Sequence, residues 1–388
     1  MNDQSVYGYY EVAGRQFYNK FKAFEYAIPN GWCPHWNFFE DKFAQQDWSV
    51  EPAESITELY ASRARSLREK YDRLILWYSG GSDSHTVAES FVDNKILLNE
   101  LWHRSSYKNV TRNDQSRCEE NQINETAFAA LPQIKLLVEK DPRVKFNFFD
   151  AMEHAIQFWS TQRLHIDNTN YLNPLAPAKM HSEIFNDHSR QKTAKITALD
   201  KPKVFLENNN WYFVFFDIPM HTQLMQNRSH LSDDEQDVCF FWDPDAIDIL
   251  VKQAHMIKRW FEQHPQYLNL ARKNQSQTEK NLYENIIKSI IYPNWDLDTW
   301  QVNKTNNLIS HPEFYWFYQD TTTSAYQNWY NTANEFSHEV FRLRGIADQS
   351  LLSGFRQVGD FWNLPGCYSR PYFLGKCSLT TDRSTVDQ

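Results

Sequence analysis

The sequence predicts a mixed α/β protein built on a doubly wound parallel sheet. Short apolar runs are each followed by a stretch with helical spacing, and a glycine pair sits between the first such run and the first such helix. With 388 residues, 41% of them hydrophobic and 16% aromatic, the chain also has enough apolar surface for a large core. The first run, Arg73 to Tyr78, is broken by Gly80 and Gly81, and helical periodicity resumes from Ser84 to Val92. A second run at Ile96 to Trp102, a helical pattern over Glu119 to Glu139 and a third run at Val144 to Phe149 continue the alternation that helical crossovers require. Lys195 to Ala198 is a further short strand. Val204 to Leu206 and Tyr212 to Phe216 read as a hairpin around the turn-forming Asn208, Asn209 and Asn210.

Three regions follow from this layout. Residues 1–54 form an N-terminal extension, with a hairpin inside Tyr7 to Tyr18 turning at Gly14 and a helix over Asn19 to Ala27. Residues 55–220 form an α/β domain, opening with a helix from Ser55 to Tyr71 that Ser55 and Glu58 can close with a capping box. Residues 221–388 are expected to be mostly helical: Pro244 to Phe261, capped by Asp243, then Gln275 to Ile291 and Ser324 to Arg344, before a polar tail at Ser378 to Gln388.

Composition narrows the function classes. A formal charge of -9 argues against a phosphate-backbone grip on nucleic acid, which needs a positive surface. The five cysteines, Cys33, Cys118, Cys239, Cys367 and Cys377, lack CxxC spacing, and an odd, scattered set fits a reducing compartment. No run approaches the roughly 18 apolar residues of a membrane span, so the expectation is a cytoplasmic protein without membrane contact.

The segment Leu74 to Ser84, LILWYSGGSDS, carries the chemistry. Glycine is scarce at 10 residues, and none occurs from Ser82 through Arg344, so an adjacent pair directly after an apolar strand has a backbone purpose. Glycines bring peptide N–H groups close to an anion, while the following helix directs its unsatisfied N–H groups and positive dipole end at the same point. Ser79, Ser82 and Ser84 add hydroxyl donors. Asp83 can hold a divalent ion, which a bare phosphate site would not need, so the loop reads as a site for a magnesium nucleotide.

Ser79-Gly80-Gly81-Ser82-Asp83-Ser84 resembles, at all six positions, the SGGxDS motif of the PP-loop ATP pyrophosphatases, the superfamily of asparagine synthetase, argininosuccinate synthetase, GMP synthetase, tRNA lysidine synthetase and phosphoadenosine-phosphosulfate reductase. The resemblance spans about Leu74 to Asp217 and extends in layout to PP-loop proteins of large tailed phages, which would act in a host cytoplasm. It implies an adenine nucleotide alpha hydrolase-like fold and ATP with Mg2+ as cofactors. It also implies cleavage to AMP and pyrophosphate, with Ser79, Gly80, Gly81, Ser82 and Ser84 cradling the phosphates and Asp83 holding the metal. Asparagine synthetase-like members share the metal with an aspartate on a later loop. Asp200 stands at that place in ITALDKP, with Lys201 as a catalytic phosphate contact, although the glycine-rich SGxGxDE pattern is absent. The end of the second strand would set Leu101, Trp102 and His103 beside the adenine, with Arg104, Lys108 and Arg112 as a nearby basic cluster.

Asp217 ends an aromatic strand and is a lesser candidate for the ligand side of the sheet. Lys252 and His255, three apart on one helix, read as a solvated face. Asn2, where an N-terminal-nucleophile glutaminase would need cysteine, points to ammonia or a separate glutaminase as nitrogen source, and the scattered cysteines do not match the zinc set of a deazaguanine synthase. The expected reaction is adenylation of a small-molecule oxygen followed by attack of a nitrogen nucleophile. Sulfur chemistry involving Cys367 or Cys377 is one alternative, and a non-catalytic nucleotide-binding module is another. No general base is identifiable in the sequence.

Overall fold

The computed structural model describes residues 8–105, 125–161, 191–217, 234–272, 275–295, 322–344 and 366–379. The extension opens with β1 (Tyr9–Val12), β2 (Arg15–Phe17), α1 (Lys20–Ala27), β3 (His35–Asn37) and α2 (Glu40–Phe43). Then come α3 (Ile56–Lys70), β4 (Arg73–Trp77), α4 (Ser82–Val92), β5 (Glu100–Ser105), a π-helical stretch Glu125–Ala130 running into α5 (Leu131–Lys140), β6 (Lys145–Asp150) and α6 (Ala151–Thr161). The remainder is β7 (Thr193–Thr197), β8 (Lys203–Glu207), β9 (Asn210–Val214), β10 (Glu235–Cys239), α7 (Ile247–Gln263), α8 (Gln277–Ile291), α9 (Ser324–Arg344) and β11 (Tyr372–Lys376).

Five strands form one sheet in the order β10-β7-β4-β5-β6, every pairing parallel. From β4 the chain steps outward through β5 to β6, then returns past β4 to β7 and steps the other way to β10. Right-handed crossovers put helices of these two directions on opposite faces, so the order is compatible with a doubly wound α/β fold. The switch in direction falls between β4 and β7. Leu74, Leu76, Ala194 and Ile196 are fully buried at the centre of this sheet.

Local signals explain the helices. In α3 the Ser55 hydroxyl accepts from the Glu58 N–H at 3.2 Å while the Ser55 N–H donates to Glu58 Oε2 at 2.8 Å, and Ser276 with Glu279 closes the same box on α8. Asp243 Oδ1 accepts from the Asp245 N–H at 2.8 Å, starting a 3-10 turn at Pro244–Ala246 that leads into α7. The β8–β9 hairpin turns where expected, with Asn208 and Asn209 at φ of 50° and 61°, the left-handed pair that asparagine tolerates best after glycine.

Three sequence expectations need amendment. The second strand starts at Glu100 instead of Ile96, because residues 96–99 are spent returning from α4. The helical pattern at Glu119 to Glu139 is described only from Glu125 and is π-helical to Ala130; residues 119–124, and the tail from residue 380, lie outside the described residues. The region beyond residue 220 is not helical throughout. β10 completes the parallel sheet as an edge strand, and β11 pairs antiparallel with β9. β10 reads EQDVC, too polar for an apolar-run rule, yet the Lys195 ammonium lies 3.1 Å from Glu235 and both side chains are buried. The pairing of β10 with β7 neutralises charges that look solvent-bound in the linear sequence.

Asp217 ties the extension to the rest. Its buried carboxylate accepts from Lys20 Nζ at 2.7 Å, from the Tyr10 hydroxyl at 3.0 Å and from the Cys367 N–H at 2.6 Å, joining α1, β1 and the C-terminal segment. Lys252 and His255, expected on a solvated face, instead hold the segment ahead of α3: Lys252 donates to the Pro52 carbonyl at 2.9 Å and His255 to that of Trp48 at 2.9 Å. An aromatic cluster of Phe38, Phe43, Trp48, Phe213, Phe215 and Tyr372 fills the space between them. Asp217→Ala would strand a buried ammonium and is expected to lower stability by about 3–5 kcal/mol in urea unfolding.

Candidate functional site

The site lies at the carboxyl ends of β4 and β7, neighbours at the switch point, where open α/β sheets leave a crevice. β4 delivers the chain into Ser79-Gly80-Gly81 and α4 begins at Ser82. Gly80 takes φ of +83°, and a Cβ there would stand 2.6 Å from Ala130 Cβ, so the tight passage past the π-helical stretch admits only glycine. The loop is self-braced. The Ser79 N–H donates to Ser84 Oγ at 3.2 Å, the Gly81 N–H donates to Ser79 Oγ at 3.3 Å, and Ser84 Oγ donates to the Gly81 carbonyl at 3.1 Å.

The N-cap of α4 is Gly81, which has no side chain to cap the helix. The first N–H groups of an α-helix have no intrahelical acceptor, and here they start from a glycine turn beside serine hydroxyls. This donor set fits a phosphate.

Asp83, on the first turn of α4, is where three distant segments converge. Lys201 Nζ, from the loop after β7, lies 2.9 Å from Asp83 Oδ2 and 3.7 Å from Asp200 Oδ1. Tyr292, the C-cap of α8, donates its hydroxyl to Asp83 Oδ1. Burial alone would raise the Asp83 pKa, but Lys201, Tyr292 and Lys288 outweigh it and hold the carboxyl below its ordinary range. Burial raises Asp200, and neighbouring Asp83 adds to the effect. Burial opposes the charge on Lys201, but the two aspartates prevail and raise it. A glycine-serine loop, a matched carboxylate and an ammonium held charged by two aspartates thus stand together at this end of the sheet. Asp83 and Lys201 keep 23% and 15% of their side chains exposed, so the pair is reachable from solvent.

The sequence-derived candidates fall into two groups. Ser79, Gly80, Gly81, Ser82, Asp83, Ser84, Asp200 and Lys201 are brought together. Trp102 and His103, expected at the end of the second strand, lie in the middle of β5, which pairs with β6 on to Ser105, and the Tyr78 N–H donates to the Trp102 carbonyl at 2.9 Å. His103 is buried, with Nδ1 donating to the Tyr78 carbonyl at 2.8 Å and Nε2 3.0 Å from the Thr126 hydroxyl. Trp102 Nε1 donates to Glu100 at 2.8 Å. Both rings are therefore engaged with the protein itself. Lys108 and Arg112 lie outside the described residues, as does Cys118. Asp217 sits at the extension anchor. Cys367 and Cys377 are buried, and burial raises the Cys367 thiol.

Sequence reasoning missed the contribution of α8. Besides Tyr292, this helix brings Lys288 and Glu284 within electrostatic reach of the Asp83–Asp200–Lys201 group. It also grips the adjoining strand, since the Tyr283 hydroxyl accepts from the Val204 N–H at 2.9 Å and donates to the Val204 carbonyl at 3.0 Å. Lys203 lies over the Tyr283 ring at 4.8 Å, and burial with Lys280 nearby pushes its ammonium down to about 8. A helical pattern alone gives no sign of which loop its C-terminus will meet.

Two outcomes follow. Gly80→Ala forces a side chain into positive φ and against Ala130, and should cost about 1–3 kcal/mol in chemical unfolding. Because Asp83 is more acidic folded than unfolded, its ion pair supports the fold above the ordinary carboxylate range near pH 4, and that support fades as pH falls through the lower folded value. Asp83→Asn should therefore narrow the stability gap to wild type between pH 7 and pH 2, measured as melting temperature against pH.

No protein-family model matches the chain, and no curated protein sequence registers as a relative of it.

Proposed function

We propose that the protein binds ATP with Mg2+ at the SGGSDS loop and cleaves it to AMP and pyrophosphate, adenylating a small-molecule substrate for attack by a nitrogen nucleophile. The observation that carries this reading is the meeting of Asp83 and Lys201 at 2.9 Å. The carboxylate of a glycine-rich phosphate loop and an ammonium from the neighbouring strand's loop face each other across the switch point of a parallel sheet. The glycine turn, the serine hydroxyls and the glycine-capped N-terminus of α4 supply neutral donors for phosphate oxygens, and Lys201 supplies the charge.

In this scheme an oxygen of the acceptor attacks the α-phosphorus and the bond to the bridging oxygen breaks. The electron pair leaves with pyrophosphate. The nitrogen nucleophile then forms its bond to the activated carbon, and AMP departs with the shared oxygen. Asp83, with Asp200 beside it, would hold the magnesium ion, which when bound screens the phosphate charge. Lys201 turns from the carboxylates toward the developing charge on the leaving group, and the loop's N–H groups orient the phosphates in line with the attack. The burial of Cys367 and Cys377 favours ligation over sulfur chemistry at those thiols.

Pyrophosphate release with Mg-ATP, screened across carboxylates, amino acids and nucleosides with ammonia as nitrogen source, tests the reading. Release should appear with one acceptor class and fall at least a hundredfold in both Asp83→Ala and Lys201→Ala, in line with the loss of a transition-state charge contact. ATP binding and turnover unchanged in Asp83→Ala would refute the assignment.

A further inference from the structure

We propose that a cavity along the outer edge of the parallel sheet binds an α-amino acid with a large apolar side chain, and that Arg63 receives its carboxylate. The inference is independent of the ATP reading, because no residue of the SGGSDS loop lines this cavity and neither Asp200 nor Lys201 does.

The cavity has a volume of about 570 Å³, in the range of small-molecule sites. One wall is Gln236, Asp237, Val238 and Cys239 of the edge strand β10. Successive side chains of a strand point to opposite faces, so a space touched by four residues in a row runs beside the strand's edge, not over one face. Arg63, Leu67 and Lys70 of α3 form a second wall, since spacings of four and three put them on one stripe of that helix. Tyr9, Phe38 and Phe39 of the extension and Trp242 beyond β10 complete the lining. The walls are braced: the Tyr71 hydroxyl bonds Gln236 Oε1 at 2.6 Å, and Asn37 Nδ2 donates to the Tyr9 hydroxyl at 2.9 Å.

Arg63 is the group that points to a ligand. Its side chain is 3% exposed, and Nη2 makes both of its contacts, with Asp243 Oδ2 at 2.7 Å and with the Cys239 carbonyl at 3.1 Å. Nε and Nη1 have no acceptor among the described residues. A guanidinium holds five N–H donors in a fixed fork, and unmet donors in a buried site are costly. A ligand carboxylate in the cavity supplies the missing acceptor. The rest of the lining says what accompanies it. Four carboxyl groups, of Asp41, Asp237, Asp243 and Asp245, stand against three cations, Arg63, Lys42 and Lys70. Asp243 matches Arg63, and Asp245 matches Lys70 at 3.3 Å. A simple anion or a phosphate ester would enter against this excess of acid, whereas a zwitterion adds no net charge and brings an ammonium for the aspartates. Buried Phe38, Leu67, Val238 and Trp242 offer the apolar surface that a large side chain needs.

L-Phenylalanine is the probe, titrated into the full chain by calorimetry beside N-acetylphenylalanine, which lacks the ammonium, and phenylalaninamide, which lacks the carboxylate. L-Phenylalanine should bind, and each derivative should bind at least about tenfold more weakly, the effect of one lost charged contact. Arg63→Lys keeps a cation for Asp243 but removes the fork, and should weaken L-phenylalanine at least about tenfold with an unchanged circular dichroism spectrum. No binding of L-phenylalanine up to about 10 mM overturns the proposal, and so does either derivative binding as tightly as the parent. Unchanged affinity in Arg63→Lys also overturns it, since the ligand would then sit elsewhere. Should Arg63→Lys fail to fold, hydrogen exchange of the wild type decides: saturating L-phenylalanine should slow amides at 63–71 and 236–245, and slowing that is absent or confined to other segments counts against the site. None of these outcomes depends on whether the loop binds ATP.

Discussion

A partly buried carboxylate must be matched, and the way Asp83 is matched constrains the whole architecture. Its two partners come from the loop after β7 and from the C-cap of α8, far along the chain in both cases. The match exists because β7 lies directly beside β4. Adjacent strands are about 4.8 Å apart, a gap that a lysine side chain spans easily. Had β7 been added beyond β6, Lys201 would stand three strands from Asp83 and the charge would be left to water. The return of the chain across the sheet is thus what gives the glycine-serine loop neighbours with both signs of charge.

Much of the fold was legible because it rests on local chemistry. The capping boxes at Ser55 and Ser276 satisfy N–H groups with residues three apart, and the Asn208–Asn209 turn needs only the tolerance of asparagine for positive φ. β4 was visible as an apolar run because it is flanked on both sides within the sheet, and β7 was visible only in part, as a short strand at Lys195 to Ala198. β10 was not visible, since its polarity makes sense only against Lys195 of its neighbour. The same limit applies to Lys252 and His255. A helical wheel puts them on one polar face, and nothing in it reveals that the chain around Trp48 and Pro52 covers that face.

The loop itself could be read in the sequence for the reason that it is contiguous: strand, glycines, serines and aspartate follow one another, so spacing encodes geometry. Asp200 and Lys201 were accessible as a charged pair at the end of a later strand. Tyr292 was not, because a phenol at the end of an amphipathic helix looks like any other aromatic core residue. Its chemistry is created by α8 packing against α7 and by Tyr60 fixing the Ile291 carbonyl, which are properties of the assembled layers.

Asp83 and Asp217 show why residue type and position at a strand or loop end do not suffice to mark a site. Both are aspartates at the ends of structural elements and both meet a lysine and a tyrosine hydroxyl. Asp217 adds a backbone N–H, has no exposed side-chain area, and burial prevails over its partners so that its carboxyl is raised. Every direction of approach is occupied by protein, and such a group can only hold the chain together. Asp83 retains exposed area and a carboxyl held below its usual range. It stays charged and stands beside a loop that combines backbone N–H groups with serine hydroxyls. The cation that Asp83 meets in the fold is the Lys201 ammonium, at 2.9 Å. That pairing of opposite charges beside a glycine turn, with area left exposed, is what separates Asp83 from the closed anchor at Asp217.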